Sequence, residues 1–322
     1  MKYPVEYNSQ KILQTYDAVN GLAYSKVKRQ EAGKVYPTAS AFLALSRYNE
    51  ALDGNDPRSM GLFEESVKSL LSISTTRRTR RGRILVWELV TSVPHHTSLG
   101  LYFTSQISGM TQGLCLSALS RYATVFPAQR ARLETIGPMI VRSFETPIEE
   151  GGVLDVDNHA CYWYEEFATR IRRHILNGFI YALIGLHDWY QAFGDSKAQQ
   201  LFQKGLVTLK RHIHEYDTGF WVKYDLVICT MCNPRYLRLH VRLLEAMFAI
   251  TGDEEYEQIA KRWSSYKDRN YPRKYMLRKP MLTLKRGVNS ARYILSCRPS
   301  LRPILEDLNN AWLYPDRVEL RE

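Results

Sequence analysis

Apolar positions along the chain sort into two kinds of helix that alternate. In "AFLALSRYNEALDGNDP" (41–57), "GLCLSALSRYATVFP" (113–127), "NGFIYALIGLHDWYQAFGD" (177–195) and "LHVRLLEAMFAITGD" (239–253), apolar residues occupy nearly every helical face. A helix of that kind is buried, whereas a one-sided helix covers a core from outside. Each stretch stops where Gly, Pro or Asp enters, at Asp53 to Pro57, Pro127, Gly194-Asp195 and Gly252-Asp253. Those residues suit helix ends and not interiors. Three of the four turns lead into one-sided segments, "SMGLFEESVKSLLSI" (59–73), "SKAQQLFQKGLVTLKRHI" (196–213) and "EEYEQIAKRWSSY" (254–266).

Helical hairpins recurring at intervals of roughly 60–75 residues stack side by side and curve into a ring. The expected fold is therefore all-α, an (α/α) toroid or barrel of helical hairpins, incomplete, with few short strands. "RILVWELVTSV" (83–93) and "GFWVKYDLVIC" (219–229) are the main strand candidates. Residues 1–267 form the expected toroid domain. Residues 268–322 are basic, broken by prolines and out of rhythm, which marks them as an extension or an oligomerisation arm.

Composition narrows the function classes. At 322 residues, 45% hydrophobic and 24% charged, the chain is an ordinary globular one. Its longest apolar run, "ILNGFIYALIGL", is shorter than the roughly 20 residues a membrane span needs, and "MKYPVEYNSQ" lacks the apolar core of a secretory signal. A cytoplasmic location with no membrane span is expected. Lys and Arg outnumber Asp and Glu by 44 to 33, which favours polyanionic partners. "RRTRRGR" (77–83) reads as a solvated loop or as a track for an anionic chain; no nucleic-acid module accompanies it, so nucleic acid is not the expected partner. Five scattered cysteines fit a reducing compartment. "CTMC", Cys229 to Cys232, lacks a second ligand pair, although His240 lies within reach, so no metal is expected.

The chemistry concentrates in "CYWYEEFATRIRRHILNGF", Cys161 to Phe179, where Glu165 and Glu166 sit among aromatic rings and arginines follow. Adjacent acids at a helix start are commonly plain first-turn charges. A carboxylate desolvated by rings instead has a raised pKa and serves proton transfer. Asn177 and Gly178, opening the following helix, read as a cap and a close-approach glycine.

Five pieces in order resemble the C-terminal domain of D-glucuronyl C5-epimerases. They are "YPTASAFLALSRY", "GMTQGLCLSALSR", "WYEEF" with "LNGFIYALIGLHDW", "YDTGFWVKYDL", and "PRYLRLHVRLLEAMFAITGDEEYEQIAKRWSSY". The resemblance runs from Tyr36 to Tyr266 and is dense from Trp163 onward. It implies inversion at C5 of glucuronic acid units in an acidic polysaccharide to iduronic acid, as in heparan sulfate biosynthesis, with no cofactor. It also implies Glu166 and Tyr236 as the acid/base pair on opposite faces of the sugar, and Tyr224 as a partner for the substrate carboxylate. Tyr164, Tyr36, Gln112, Arg170, Arg172, Arg173 and His240 are the expected substrate-binding residues. A uronate-containing polysaccharide is the expected partner, and a homodimer is the candidate for completing the cleft that the animal enzymes complete with an N-terminal β-rich domain. Where the family commonly has tyrosine after the glutamate pair, this chain has Phe167. That departure keeps two alternatives open, a polysaccharide lyase or hydrolase on the same toroid and a non-catalytic binder of acidic glycans.

Overall fold

The computed structural model describes residues 2–5, 9–25, 35–54, 57–89, 107–169, 172–227 and 231–266. A short helix α1 (Ser9–Thr15) and a hairpin of β1 (Tyr16–Val19) and β2 (Leu22–Ser25) come first. Four helical hairpins follow: α2 (Pro37–Gly54) with α3 (Pro57–Ser72), α4 (Gly109–Val125) with α5 (Arg130–Arg142), α6 (Leu176–Phe193) with α7 (Ser196–His212), and α8 (Pro234–Thr251) with α9 (Glu254–Ser265). The first helices of the pairs pack in chain order, α2 on α4, α4 on α6, α6 on α8, and each second helix packs against its own partner. The expected all-α architecture of alternating buried and covering helices is the one observed.

Burial explains the alternation. Every residue of α4 from Gly109 to Ala123 is buried, as are the first eleven of α6, Leu176 to Leu186. In α7, by contrast, Ala198, Leu201, Phe202, Gly205 and Leu209 are buried along one stripe while Val207 is 67% exposed. The α4–α6 contact is tight because both helices carry glycine there. A Cβ on Gly113 would lie 2.4 Å from the Tyr181 carbonyl oxygen, and one on Gly185 would lie 2.2 Å from the Gly113 carbonyl oxygen.

The Gly-Asp turns do two jobs in two residues. Gly194 ends α6 in the left-handed region (φ +68°), and the Asp195 carboxylate then accepts the amides of Lys197 and Ala198 at 2.9 and 3.1 Å. Gly252 (φ +70°) and Asp253 repeat the device between α8 and α9. Glycine reaches that backbone conformation at no steric cost, and the acid caps the orphan amides of the next helix.

Four elements differ from expectation. The fourth covering helix, α5, carries Pro138 inside it, which breaks its sequence signature. The arginine-rich stretch is a hairpin and not a loop: β3 (Thr75–Thr79) pairs antiparallel with β4 (Gly82–Val86), Arg78 opposite Arg83, turning at Gly82 (φ +113°). It stays ordered because Ile84, Val86 and Trp87 are buried beneath it, with the Trp87 indole donating to the Leu70 carbonyl at 2.7 Å. The candidate strand at 219–229 makes only isolated bridges through its described residues, such as Asp217 with Val222 and Ile175 with Asp225. A third hairpin, β5 (Leu154–Val156) with β6 (Tyr162–Tyr164), is too short to show in a periodicity. Residues 268–322 lie outside the described residues, and no helix among the described ones is long and apolar enough to cross a membrane.

Substituting Gly185→Ala forces α4 and α6 apart. A loss of about 1–3 kcal/mol is expected, the range for overpacking a filled core, read as a lower urea midpoint at unchanged slope; wild-type stability would show that the helices are not in backbone contact.

Candidate active site

Beyond β6 the chain passes between the N-termini of α4 and α6. The Gly109 amide donates to the Glu165 carbonyl at 2.8 Å, and a Cβ on Gly109 would sit 2.9 Å from that oxygen. The Glu165 side chain turns inward and is 1% exposed. Its carboxylate accepts the backbone amides of Arg173 (3.2 Å) and His174 (3.0 Å), with the His174 imidazole 3.5 Å away. Burial raises this carboxyl, and the neighbouring His174 pulls against that rise.

Glu166 points the other way. It lies over Gly178, where a Cβ would be 2.5 Å from its Oε2. Asn177 Nδ2 donates to Oε2 at 2.9 Å, and the Tyr224 hydroxyl donates to Oε1 at 3.5 Å. Burial lifts its pKa to about 7; the Arg173 guanidinium and the Asn177 and Tyr224 hydrogen bonds moderate the rise. A carboxyl at that value exchanges its proton near neutrality, which suits a general acid or base.

The Tyr224 and Tyr236 rings meet edge to face with centroids 4.9 Å apart. Burial, then the Glu166 charge, push both phenols up, Tyr224 most strongly. Arg173 pulls Tyr224 down and Arg235 pulls Tyr236 down, but neither overcomes burial, so both rings are neutral donors at ordinary pH.

A cleft of about 1290 Å³ opens between α2 and α8. Glu166, Phe167, Asn177 and Met110 line its inner part, Tyr36 and Phe42 the side of α2, and Arg235, Tyr236 and Arg238 the side of α8. The expected residues Glu166, Tyr236 and Tyr36 thus share one cavity. The Asn177 Oδ1 is buried there without a hydrogen-bond partner among the described residues. Asn177 is therefore not the cap expected of it: no side chain caps α6, and its amide holds the acid. Its place in "LNGF" was the available signal. Gly178 does admit a close approach, that of Glu166 itself.

Several expected substrate contacts lie elsewhere. Gln112 is fully buried and spends its amide on Trp87 N, Leu85 O and Ser143 Oγ, bracing β4. Tyr164 is buried and donates to the Leu201 carbonyl at 2.7 Å. Arg172 is buried among Glu149, Asp155 and the Thr169 carbonyl. Arg173 pairs with the fully buried Asp225 at 2.8 Å and lies 5.7 Å over the Tyr224 ring, acting on the site by its charge alone. His240 is fully buried behind the two tyrosines, about 6.5 Å from each ring centre, and burial drives its pKa to about 3. It is a neutral core histidine and lines no part of the cleft. Tyr224 is likewise absent from the cleft wall, its hydroxyl turned to Glu166 instead of a substrate carboxylate. Arg170 lies outside the described residues, as does Cys229. Cys232 is buried, its thiol pushed up to about 12 by burial.

Residues 81–265 match the family described as D-glucuronyl C5-epimerase C-terminus, more than half of the chain. The chain belongs to this family. It is 33% identical over 128 residues to an uncharacterised protein of Methanocaldococcus jannaschii, covering 39% of this chain and 41% of that one. It is 30% identical over 177 residues to the D-glucuronyl C5-epimerase of Caenorhabditis elegans, 49% of this chain and 28% of that protein. The matches therefore span less than half the length of either relative. Among solved structures, a sugar epimerase from a ruminal bacterium shares the fold, with a TM-score of 0.52 and 12% identity over 81% of this chain and 67% of that one.

Glu166 binds its proton more tightly folded (about 7) than unfolded (the ordinary 4.5), so its burial costs stability increasingly as pH rises through that window. Replacing it with glutamine removes the cost: Glu166→Gln is expected to match wild type near pH 4 and to gain about 3 kcal/mol at pH 8, measured by urea unfolding at both values. An equal effect at both pH values would place the raised pKa elsewhere.

Proposed function

We propose that the protein inverts C5 of glucuronic acid units within an acidic polysaccharide, giving iduronic acid, with Glu166 and Tyr236 as the two acid/base groups. The observation that carries this reading is a carboxyl poised near neutrality and a neutral phenol on one cleft, supplied by different elements. The reaction asks for little else. The C5 proton is acidified by the adjacent carboxylate once that charge is neutralised, and the carbanion must then receive a proton on its opposite face. Glu166, as the anion, takes the C5 proton; Tyr236, whose phenol is held neutral, donates its own. Glu166 ends protonated and Tyr236 ends as phenolate.

Tyr224 is suited to the reset. Its hydroxyl contacts Glu166 and its ring abuts Tyr236, so a proton passes back from the acid to the phenolate without crossing the substrate. Arg235 and Arg238, exposed one turn apart on α8 beside Tyr236, are the cations proposed for the uronate carboxylate. Asn177 Oδ1, buried and without a partner among the described residues, is the acceptor proposed for a sugar hydroxyl, since a donor from substrate removes the cost of leaving it unmatched. Soluble glucuronate polymers are the proposed partners.

Phe167 favours a second reading. Its ring lines the cleft with no hydroxyl to offer, which is compatible with a glycan binder that does not turn over. Incubation with glucuronate polymer in deuterated water separates the two. Deuterium at C5 without chain cleavage is expected; Glu166→Gln should lower incorporation by at least ~10³-fold and Tyr236→Phe by ~10²–10⁴-fold, the usual worth of an acid/base group. Phe167→Tyr should leave the rate within a few-fold. Binding without exchange by the wild type, rescued in Phe167→Tyr, establishes the binder; an ultraviolet-absorbing unsaturated product establishes a lyase.

A further inference from the structure

On the outer side of the β5–β6 hairpin, away from the cleft, Asp157, Cys161 and His212 converge. One oxygen, the sulfur and one ring nitrogen of these residues all lie within 4.8 Å of one another. None of the three lines the cleft. Asp157 Oδ1 is occupied by the backbone amides of His159 and Cys161, at 2.8 and 3.0 Å, while Oδ2 receives the Trp163 indole at 3.2 Å and stands 3.9 Å from His212 Nε2. Cys161 is 4% exposed. Its sulfur has long contacts, 3.9 Å to the His159 carbonyl and 3.9 Å to Arg211 Nη1, and a hydrogen bond with the Thr208 side chain.

The histidine carries the deciding detail. His212 Nδ1 lies 2.6 Å from the Glu215 carboxylate, while Nε2 is buried with no hydrogen-bond partner among the described residues. A carboxylate on Nδ1 fixes the proton there, leaves the Nε2 lone pair free and aims it at the thiol and the carboxylate. Metal-bound histidines are held in the same way by a carboxylate on their far nitrogen. A buried imidazole lone pair facing a thiol and a carboxylate is otherwise an unmatched polar group in a packed place.

We infer that Asp157, Cys161 and His212 form a binding site for a zinc-class divalent ion, with Glu215 orienting the histidine and water as the fourth ligand. A thiolate with an imidazole and one carboxylate suits zinc and excludes magnesium or calcium, which take oxygen. Donors bonded to tetrahedral zinc at ~2.0–2.3 Å lie ~3.3–3.6 Å apart, so the three close in by roughly an ångström. Asp157 and His212 are partly exposed, which opens a path for the ion. Binding releases the thiol proton to solvent, and Arg211 stands beside the sulfur as a counter-charge. A nucleophilic role fits less well, because the thiol is buried away from the cleft. An ion here clamps the end of α7 to the hairpin whose second strand continues into Glu165 and Glu166.

The test uses the full chain, stripped with chelator and titrated with zinc and, separately, with cobalt(II). One zinc per chain is expected, with a thiolate-to-cobalt charge-transfer band and a higher Tm in zinc than in chelator. Cys161→Ser and His212→Gln should lose the band while matching wild-type Tm in chelator. Glu215→Gln, which leaves all three ligands in place, should keep the band and weaken zinc ~10–100-fold, the usual worth of such a partner. An absent band in the wild type, a band that survives in Cys161→Ser but disappears in Cys232→Ser, or an unchanged affinity in Glu215→Gln each overturns the assignment.

Discussion

Everything at the site hangs on Glu165 accepting the amides of Arg173 and His174. A buried carboxylate is tolerated only where donors surround it, and here the donors are backbone groups eight and nine residues further along. That capture ties Glu165 to the residues just before α6 and delivers the chain to its start. It also sets the neighbouring residue: with Glu165 turned inward and its carbonyl held by Gly109, Glu166 has one direction left, over Gly178 and into the cleft. The absence of a side chain at 178 and the amide at 177 are then requirements of the same geometry.

The capture passes its constraint outward. Arg173 turns to Asp225, which is fully buried, and the His174 carbonyl accepts the Tyr216 hydroxyl at 2.6 Å. Through these two links the segment at 216–227, which forms no continuous strand, is held against Arg173 and His174 and carries Tyr224 to within reach of Glu166. The electrostatics follow from the packing. Burial governs the tyrosines, and the charges of Arg173 on Tyr224 and of Arg235 on Tyr236 pull against it without overcoming it. Burial lifts the Glu166 carboxyl to about 7, a rise that Arg173 moderates, and leaves the phenols above it. In the proposed reaction that asymmetry assigns the base to Glu166 and the acid to Tyr236.

The architecture was legible because burial leaves a periodic record. Gly194-Asp195 and Gly252-Asp253 announce a left-handed stop followed by a cap, and the all-round apolar stretches announce inner helices. Pro138 erased the record of α5, and the three-residue strands β5 and β6 never had one. Within the site, Glu166, Tyr236 and Tyr36 were reached through motif positions, and the cleft unites them. The misplaced residues share one cause. Gln112 and Tyr164 stand in the same motifs and Arg172 and Arg173 between two of them, but a motif records both what touches a ligand and what holds the residues that do. Only the direction of each side chain separates the two, and for Arg172 and Arg173, adjacent in sequence, both turn inward to buried acids instead of outward to solvent.

Phe167 is best understood from the partners of Glu166. A tyrosine at that position would place a third phenol at the cleft, yet the acid already receives one phenolic hydrogen bond from Tyr224 and one amide from Asn177, which occupies Oε2. In the proposed reaction Tyr236 donates the proton from the far face, and Tyr224 connects it back to the acid. The ring at 167 is thus left with an apolar duty, excluding water beside a carboxyl whose usefulness depends on desolvation. A phenol there would draw water or donate to Glu166 and pull its pKa below neutrality. Losing the hydroxyl is therefore consistent with keeping Glu166 near 7, and in the proposed reaction the hydrogen-bond set around the acid, more than the identity of residue 167, governs proton transfer.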